Sequence, residues 1–404
     1  MSSNRRIVVI SVAIVVLATA AISPYAYREW CSYRRNDLAE QCRAARSRQR
    51  WDDLQVLADR WSKWDSQNGE AWMYRAQAAS GRHEWLEAAN YFWRVPDTDA
   101  RAIPALIELS KLAFTHLNDP LRGVAACERI LRIDPRAAGA HQQLIWFHAM
   151  TLQREKLLRQ IHAAIDVQRE PREAYVYFFL ADTLRSGSAV ELNERWLEAA
   201  PDAELFLVAR VLQLPDLETE SPDTPNPSPA GEHPKTMTGR SKLELVDELL
   251  NRFPHNMELL AYKADDCITT GDIDGAAALL SQAPDAATQD NRFWRIQGWL
   301  HESNNELEEA NTAYRRALER HAVDWNTMNR LAVVERRRQN IAEVQRLTKL
   351  VERANEARRV LRKLEAVELV TPEILVELAR LYRESGERVV GPALERRLAQ
   401  AEAH

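Results

Sequence analysis

Glycine is scarce in this chain, with 12 among 404 residues, while Ala, Leu, Arg and Glu are abundant. That balance favours helix over strand. The four cysteines, Cys31, Cys42, Cys127 and Cys267, lie far apart and form no CxxC. This argues against a disulfide framework and a structural zinc site, and the four read as small buried hydrophobes. No phosphate-binding P-loop, dinucleotide glycine motif or G-x-S-x-G elbow occurs. His83-Glu84 and His301-Glu302 begin like H-E-x-x-H, but Glu87 and Asn305 stand where the second imidazole would be, so a zinc-protease site is not expected. Asp272-x-Asp274-Gly275 opens like a calcium loop without the later ligands and reads as a turn between two helices. A strong charge of one sign is also missing. The formal net charge of -5 argues neither for nor against nucleic acid. No cofactor or metal is expected, no nucleic-acid partner, and no catalytic motif marks the chain as an enzyme.

The first segment is different. A short tail, residues 1–6, carries Arg5 and Arg6. From Ile7 to Ile22 the chain is uncharged, with only Ser11 and Thr19 polar, and Pro24, Tyr25, Tyr27 and Trp30 follow. With its flanks the run approaches the ~20 residues that cross a bilayer, and the aromatics suit a headgroup belt. The expectation is a transmembrane anchor over residues 7–27. The competing reading is a cleavable signal peptide, with Ala18-Thr19-Ala20 before the cut. The length of the run and the aromatics after it favour the anchor. Arg5 and Arg6 favour a cytoplasmic N-terminus, whereas Arg28, Arg34 and Arg35 pull the other way. The reading adopted places the bulk of the chain outside the cytoplasm.

Beyond the anchor the chain repeats. Cys42, Trp51, Leu54 and Ala58 sit one period of ~34 residues before Ala76, Trp85, Ala88 and Phe92, and Trp72 begins the helix between them. Ile107, Lys111, Phe114, Gly123, Cys127 and Ile130 keep the frame, which Pro135 closes. From Pro215 to Gly239 the composition changes to six prolines and almost nothing apolar, which reads as a disordered, acidic linker over residues 213–240. The repeats resume with Ala264, Gly271, Ala276 and Ala283. They are clearest at Trp294, Gly298, Leu307, Ala310, Tyr314 and Ala317. Small residues such as Gly298, Ala310, Ala76 and Ala88 let two helices approach, and large ones such as Trp294, Tyr314, Trp72 and Phe92 fill the space between units. One hairpin cannot bury both of its apolar faces, so several must stack. The expected organisation is an all-α stack of helical hairpins in two arrays, residues 34–212 and 241–404, the second ending in capping helices.

This pattern resembles the tetratricopeptide repeat. Trp294, Gly298, Leu307, Ala310, Tyr314 and Ala317 match its signature, with Gln297 where Leu is usual. Trp72, Ala76, Trp85, Ala88 and Phe92 match it in a second unit. Ala264, Gly271, Ala276 and Ala283 match more loosely, and Pro135 takes the closing position of another. The resemblance implies a right-handed superhelical solenoid whose concave face binds peptides or partner domains, here preceded by one transmembrane helix. In that frame the first helices present Met73, Gln77, Glu108, Gln142 and Trp146 inward in the N-terminal array. Arg292, Arg295, Trp299, Asn329 and Arg336 do so in the C-terminal array. Aromatic and Arg residues are typical binding anchors, so the expected C-terminal groove binds an acidic segment. The abundance of Arg between Tyr314 and Leu364 reads as a solvated helical face, with an acidic partner or anionic lipid as the sharper alternative. The functional expectation is a membrane-anchored scaffold or adaptor for other proteins. The alternatives are a secreted or periplasmic repeat protein, and a non-catalytic subunit or helical enzyme of an envelope biogenesis complex.

Overall fold

The computed structural model describes residues 3–184, 187–214, 241–364 and 366–402, with the side chains of 3–24, 187 and 402 outside that description. The expected linker, 213–240, therefore lies almost wholly outside the described residues, as do the side chains of most of the expected anchor. Among the described residues no helix is long and apolar enough to cross a membrane.

The described residues form twenty α-helices and no strand. They divide into two compact units, residues 1–133 and 134–404. Unit 1 holds three hairpins. These are α1 (Ser3–Ser47) with α2 (Trp51–Trp64), α3 (Gly69–Gly81) with α4 (Trp85–Trp93), and α5 (Ala102–Thr115) with α6 (Pro120–Ile133). Unit 2 begins with the hairpin α7 (Ala138–Met150) and α8 (Arg154–Asp166). Then come α9 (Glu173–Leu180), α10 (Gly187–Ala199), α11 (Glu204–Gln213) and α12 (Lys242–Arg252). Four hairpins follow: α13 (Met257–Thr270) with α14 (Ile273–Gln282), α15 (Asn291–Ser303) with α16 (Leu307–Arg320), α17 (Trp325–Arg337) with α18 (Ile341–Leu361), and α19 (Pro372–Ser385) with α20 (Val390–Glu402).

The period is written into the backbone. Gln49, His83, Asn118 and Leu152, then Gly271, Asn305 and Gln339, all have φ between 50° and 79°. Each stands two residues before its hairpin's second helix, and within each run they recur every 34 or 35 residues. A left-handed residue ends one helix and reverses the chain. Only one of the seven is glycine, which is why glycine content understates the regularity. At Asp272 the side chain accepts from the Gly275 amide at 2.9 Å. The Asp272–Gly275 stretch is thus a helix cap, as its sequence suggested.

The small residues do what the pattern implied. Ala76, Ala88, Ala264, Ala276, Ala310 and Ala317 are fully buried. A Cβ at Gly298 would stand 2.6 Å from the Tyr314 ring, so α15 and α16 meet only because none is there. Trp72 and Trp294 donate their indole N–H to carbonyls six residues back, Ser66 at 2.8 Å and Thr288 at 2.9 Å. Each thereby fastens the turn that precedes its hairpin. Helix α18 ends at Leu361, and Pro372 opens α19 while Thr371 makes no side-chain capping bond.

The division of the chain also differs from the sequence expectation. Unit 2 begins at Asp134 and includes both sides of the proline-rich stretch. Val208, Val211 and Leu212 on α11 share one apolar cluster with Val246, Leu249 and Leu259 beyond it. Lys242 Nζ donates to the Leu212 and Leu214 carbonyls, each at 2.9 Å. The apolar stripe of α11 is closed by helices that follow the stretch, so residues on both sides of it share a single core.

Candidate functional site

The two units treat their inner surfaces differently. In unit 1 a cleft of about 490 Å³ opens between the hairpins. Arg46 on α1, Gln77 and Ser80 on α3, and Glu108 and Leu112 on α5 line it, with Trp51 and Trp85 at the starts of α2 and α4. Gly81 shapes one wall, since a Cβ there would lie 2.3 Å from the Trp51 ring. Trp85 is held by stacking on His116, 4.2 Å between centroids and 11° between planes. The Oε1 atom of Gln77 is buried and accepts no hydrogen bond. An acceptor left in that state costs about 1–3 kcal/mol. Arg46 is exposed. Glu108 holds Lys111 at 2.8 Å in a solvent-exposed pair that contributes little and yields easily. Indole rings, an amide side chain and one charge of each sign thus line the same cleft. Met73, also expected here, is half-buried on the same helix.

In unit 2 the corresponding surface is filled by the chain itself. Helix α9 is apolar almost all round, and Tyr175, Val176, Tyr177, Phe178 and Phe179 are buried; a helix of that composition is stable only inside. The first helices of successive hairpins close over it. Trp325 on α17 meets Phe179 at 5.2 Å, and Tyr382 on α19 meets Phe178 at 5.8 Å. The Tyr382 hydroxyl donates to the Tyr175 carbonyl at 2.5 Å, and the Tyr177 hydroxyl to Glu368 at 3.1 Å.

Just after α9, Asp182 enters a buried lattice of charges. Arg154 Nε donates to its Oδ1 at 2.5 Å and Asn291 Nδ2 to its Oδ2 at 2.6 Å. Arg154 also reaches Asn291. Arg295 donates to Asp324 at 2.9 Å and to Asp265 at 3.0 Å. Arg292 donates to Glu258 at 2.6 Å and Asp290 at 2.7 Å. Burial alone would raise the Asp182 carboxyl, but Arg154, then His321, Arg292 and Arg295, hold it well below the usual range. For Asp290 the same opposition, led by Arg154 and Arg292, leaves about 2. Burial would likewise weaken the Arg295 guanidinium, yet Asp265, Asp324 and Asp182 keep it charged. Each of these carboxylates is engaged by arginine, asparagine or threonine donors, so none is placed as a general base.

These contacts correct the expected C-terminal groove. Arg292 and Arg295 do not face an open surface; their guanidinium groups are buried and saturated by carboxylates of the same chain. Trp299 is buried in the core that α13 and α15 share with Ala287 and Phe293. Of the expected set only Asn329 and Arg336 are exposed, with Val333 between them on one face of α17. In the first hairpin of unit 2, Gln142 donates to Glu173 at 2.6 Å, and half-buried Trp146 meets Trp196 edge-on at 6.0 Å. The abundant arginines beyond Tyr314 largely find partners inside the chain. Arg315 pairs with Glu335 at 2.7 Å, Arg338 with Glu308 at 2.8 Å and Arg353 with Glu384 at 2.6 Å, and Arg358 lies over Trp325. The sequence reading missed Asp182 and Arg154. The available signal was the unbroken apolar run from Ala174 to Leu180, which marks a helix that must be covered on every side.

No known family's sequence profile matches the chain, and no curated protein does. Among solved structures it is similar to a tetratricopeptide repeat protein from Parabacteroides merdae (11% identity, 74% of this chain and 98% of that chain, TM-score 0.26). It is also similar to the human IFIT1 dimer (11% identity, 88% and 95%, TM-score 0.33) and to yeast Tom70 (12% identity, 90% and 81%, TM-score 0.28). At these scores the likenesses carry no argument. The type of repeat rests on this chain's own hairpins, on their recurring left-handed turns and on the packing at Gly298, Ala310 and Tyr314.

Proposed function

We propose, for a chain built of tetratricopeptide-type hairpins, that it is a non-catalytic, membrane-anchored scaffold holding an extended segment of a partner protein in the unit 1 cleft. The observation that carries this reading is an open cleft of about 490 Å³ walled by Trp51 and Trp85 and lined by Arg46, Gln77 and Glu108. An extended peptide brings an apolar side chain between the indoles and an acidic group to Arg46. In unit 2 the opening at α15 and α16 is smaller, about 270 Å³, and is lined by Trp294, Gln297, His301 and Arg316. The apolar run within residues 7–27 supports retention in a bilayer, with the repeats on the extracytoplasmic side.

The test is a photo-crosslinking residue placed at Ser80 in the full chain, in native membranes, with Glu87 (exposed on α4 outside the cleft) as control. Ser80 is expected to yield a discrete adduct that Gln77→Leu reduces several-fold, and Glu87 none. Equal labelling from both positions would sink the cleft assignment.

A further inference from the structure

The start of the described part of α1 carries an exposed group that the scaffold function does not use. Tyr25, Tyr27, Trp30 and Tyr33 are 68%, 64%, 46% and 74% exposed. Four large aromatic side chains in nine residues of helix are far more than scattered surface apolar groups explain. Their angular distribution says what they face. With ~100° of turn per residue, and Tyr25 as zero, Tyr33 stands near 80°, Trp30 near 140° and Tyr27 near 200°. Arg28 and Arg35 occupy the remaining side, near 300° and 280°. A helix docking on a protein groove shows one apolar stripe, and a helix lying on a membrane shows one apolar and one polar face. Here aromatic and basic groups, with exposed Glu29 near 40° among them, encircle the axis.

Resting on the anchor reading above, we infer that Tyr25–Trp30 is a collar seated in the headgroup layer of a bilayer, through which α1 emerges end-on. Indole and phenol rings, with an apolar body and a polar tip, and arginines that reach lipid phosphate are the groups this layer selects. The apolar run ends at Ile22, immediately before the collar. Tyr25 to Trp30 covers about 7.5 Å of helix rise, the thickness of one headgroup layer at roughly 5–8 Å.

The collar is also braced against the first hairpin. Trp30 meets Trp64, the last residue of α2, edge-on at 6.0 Å, and Arg34 lies 5.2 Å from both rings. Arg35 Nε donates to Asp65 at 2.8 Å. Further along the same helix Leu38, Ala39, Cys42 and Ala45 are buried in the core of unit 1. No flexible joint separates the collar from the repeat. Arg46, at the cleft, follows Trp30 by about 24 Å of helix rise, so the cleft is mounted at a set height and azimuth above the lipid surface.

The experiment uses the full chain in vesicles of mixed zwitterionic and anionic phospholipid. Tyr25→Cys, Tyr27→Cys and Tyr33→Cys are each spin-labelled in a Cys31→Ser background, where the three remaining cysteines are buried. Gln41→Cys is the water-exposed reference. Collision with oxygen and with a water-soluble nickel chelate reports depth. The collar predicts headgroup depth at Tyr25 and Tyr27, on opposite sides of the helix, with nickel accessibility at least threefold below that at position 41, and an intermediate value at Tyr33, about 12 Å further along the axis than Tyr25. Headgroup depth at one azimuth only, or water-like values at all three while the protein resists carbonate extraction, overturns the collar and leaves the anchor standing. Extraction by carbonate, or a mature chain beginning after Ala20, removes the anchor reading and the collar with it.

Discussion

Units 1 and 2 are made of the same hairpin but use its inner surface in opposite ways. In unit 1 the cleft is open, and Gln77 and Arg46 have no side-chain partners in it. In unit 2 the chain covers the equivalent surface with α9 and clamps it with Asp182. The difference teaches that a repeat signature describes how a hairpin is built and not whether its concavity is vacant. Arg295 has the position and chemistry of a binding residue, and its ligands are Asp182, Asp265 and Asp324 of its own chain.

The largest expected effect comes from breaking the clamp. Asp182→Ala removes the buried carboxylate that Arg154 Nε meets at 2.5 Å, at a cost of about 3–5 kcal/mol. Hydrogen exchange followed peptide by peptide should show α9, α15 and α17 losing protection while α3 and α5 do not. Uniform loss across both units would mean the clamp is not local to unit 2.

Acid should separate the units next. Burial, with Lys156 and Arg159, draws His148 down from 6.5 to about 4. Between those values the unfolded chain binds a proton that the folded chain refuses, so stability falls as the pH drops through that window. His148 alone accounts for roughly 3 kcal/mol of this loss. Asp182 and Asp290 act in the same direction at lower pH, because carboxyls held below the usual range lose their contribution as they are protonated. In unit 1 burial, with Glu70, instead pushes the Cys42 thiol up to about 12, which leaves it protonated and silent in acid. Exchange corrected for intrinsic rates should show unit 2 opening first on acidification from pH 7 to 4, and earlier opening of unit 1 would contradict this.

The smallest effect tests what the units share. Ala88→Leu in unit 1 and Ala310→Leu in unit 2 both overfill a fully buried position, each at about 1–3 kcal/mol. Similar falls in melting temperature are expected. An unchanged value for either would count against a common hairpin frame.

Much of the hairpin was legible in the sequence. Trp72 and Trp294 stand six residues from the carbonyls they bind, and Gly298 and Tyr314 face each other within one hairpin, where periodicity reports contact directly. In the cleft, Gln77 and Glu108 were found by extending that frame inward. Arg46 was missed, and Trp51 and Trp85 read only as repeat positions, because a signature says nothing of which face of an indole remains open. The frame failed at Arg292, Arg295 and Trp299, where it assumed a vacancy.

What the sequence by itself determined is therefore local: helix content, the turn that recurs at Gln49, His83 and their successors, and the small residues that let paired helices touch. All of these depend on side chains within one period of each other. Which concavity stays open was decided only by the tertiary structure. Arg154 meets Asn291 across 137 positions, and Tyr382 meets Tyr175 across 207. Contacts at such separations leave no periodic trace, because they depend on where the folded units bring distant helices, and the apolar helix α9 had only one place in which to be buried.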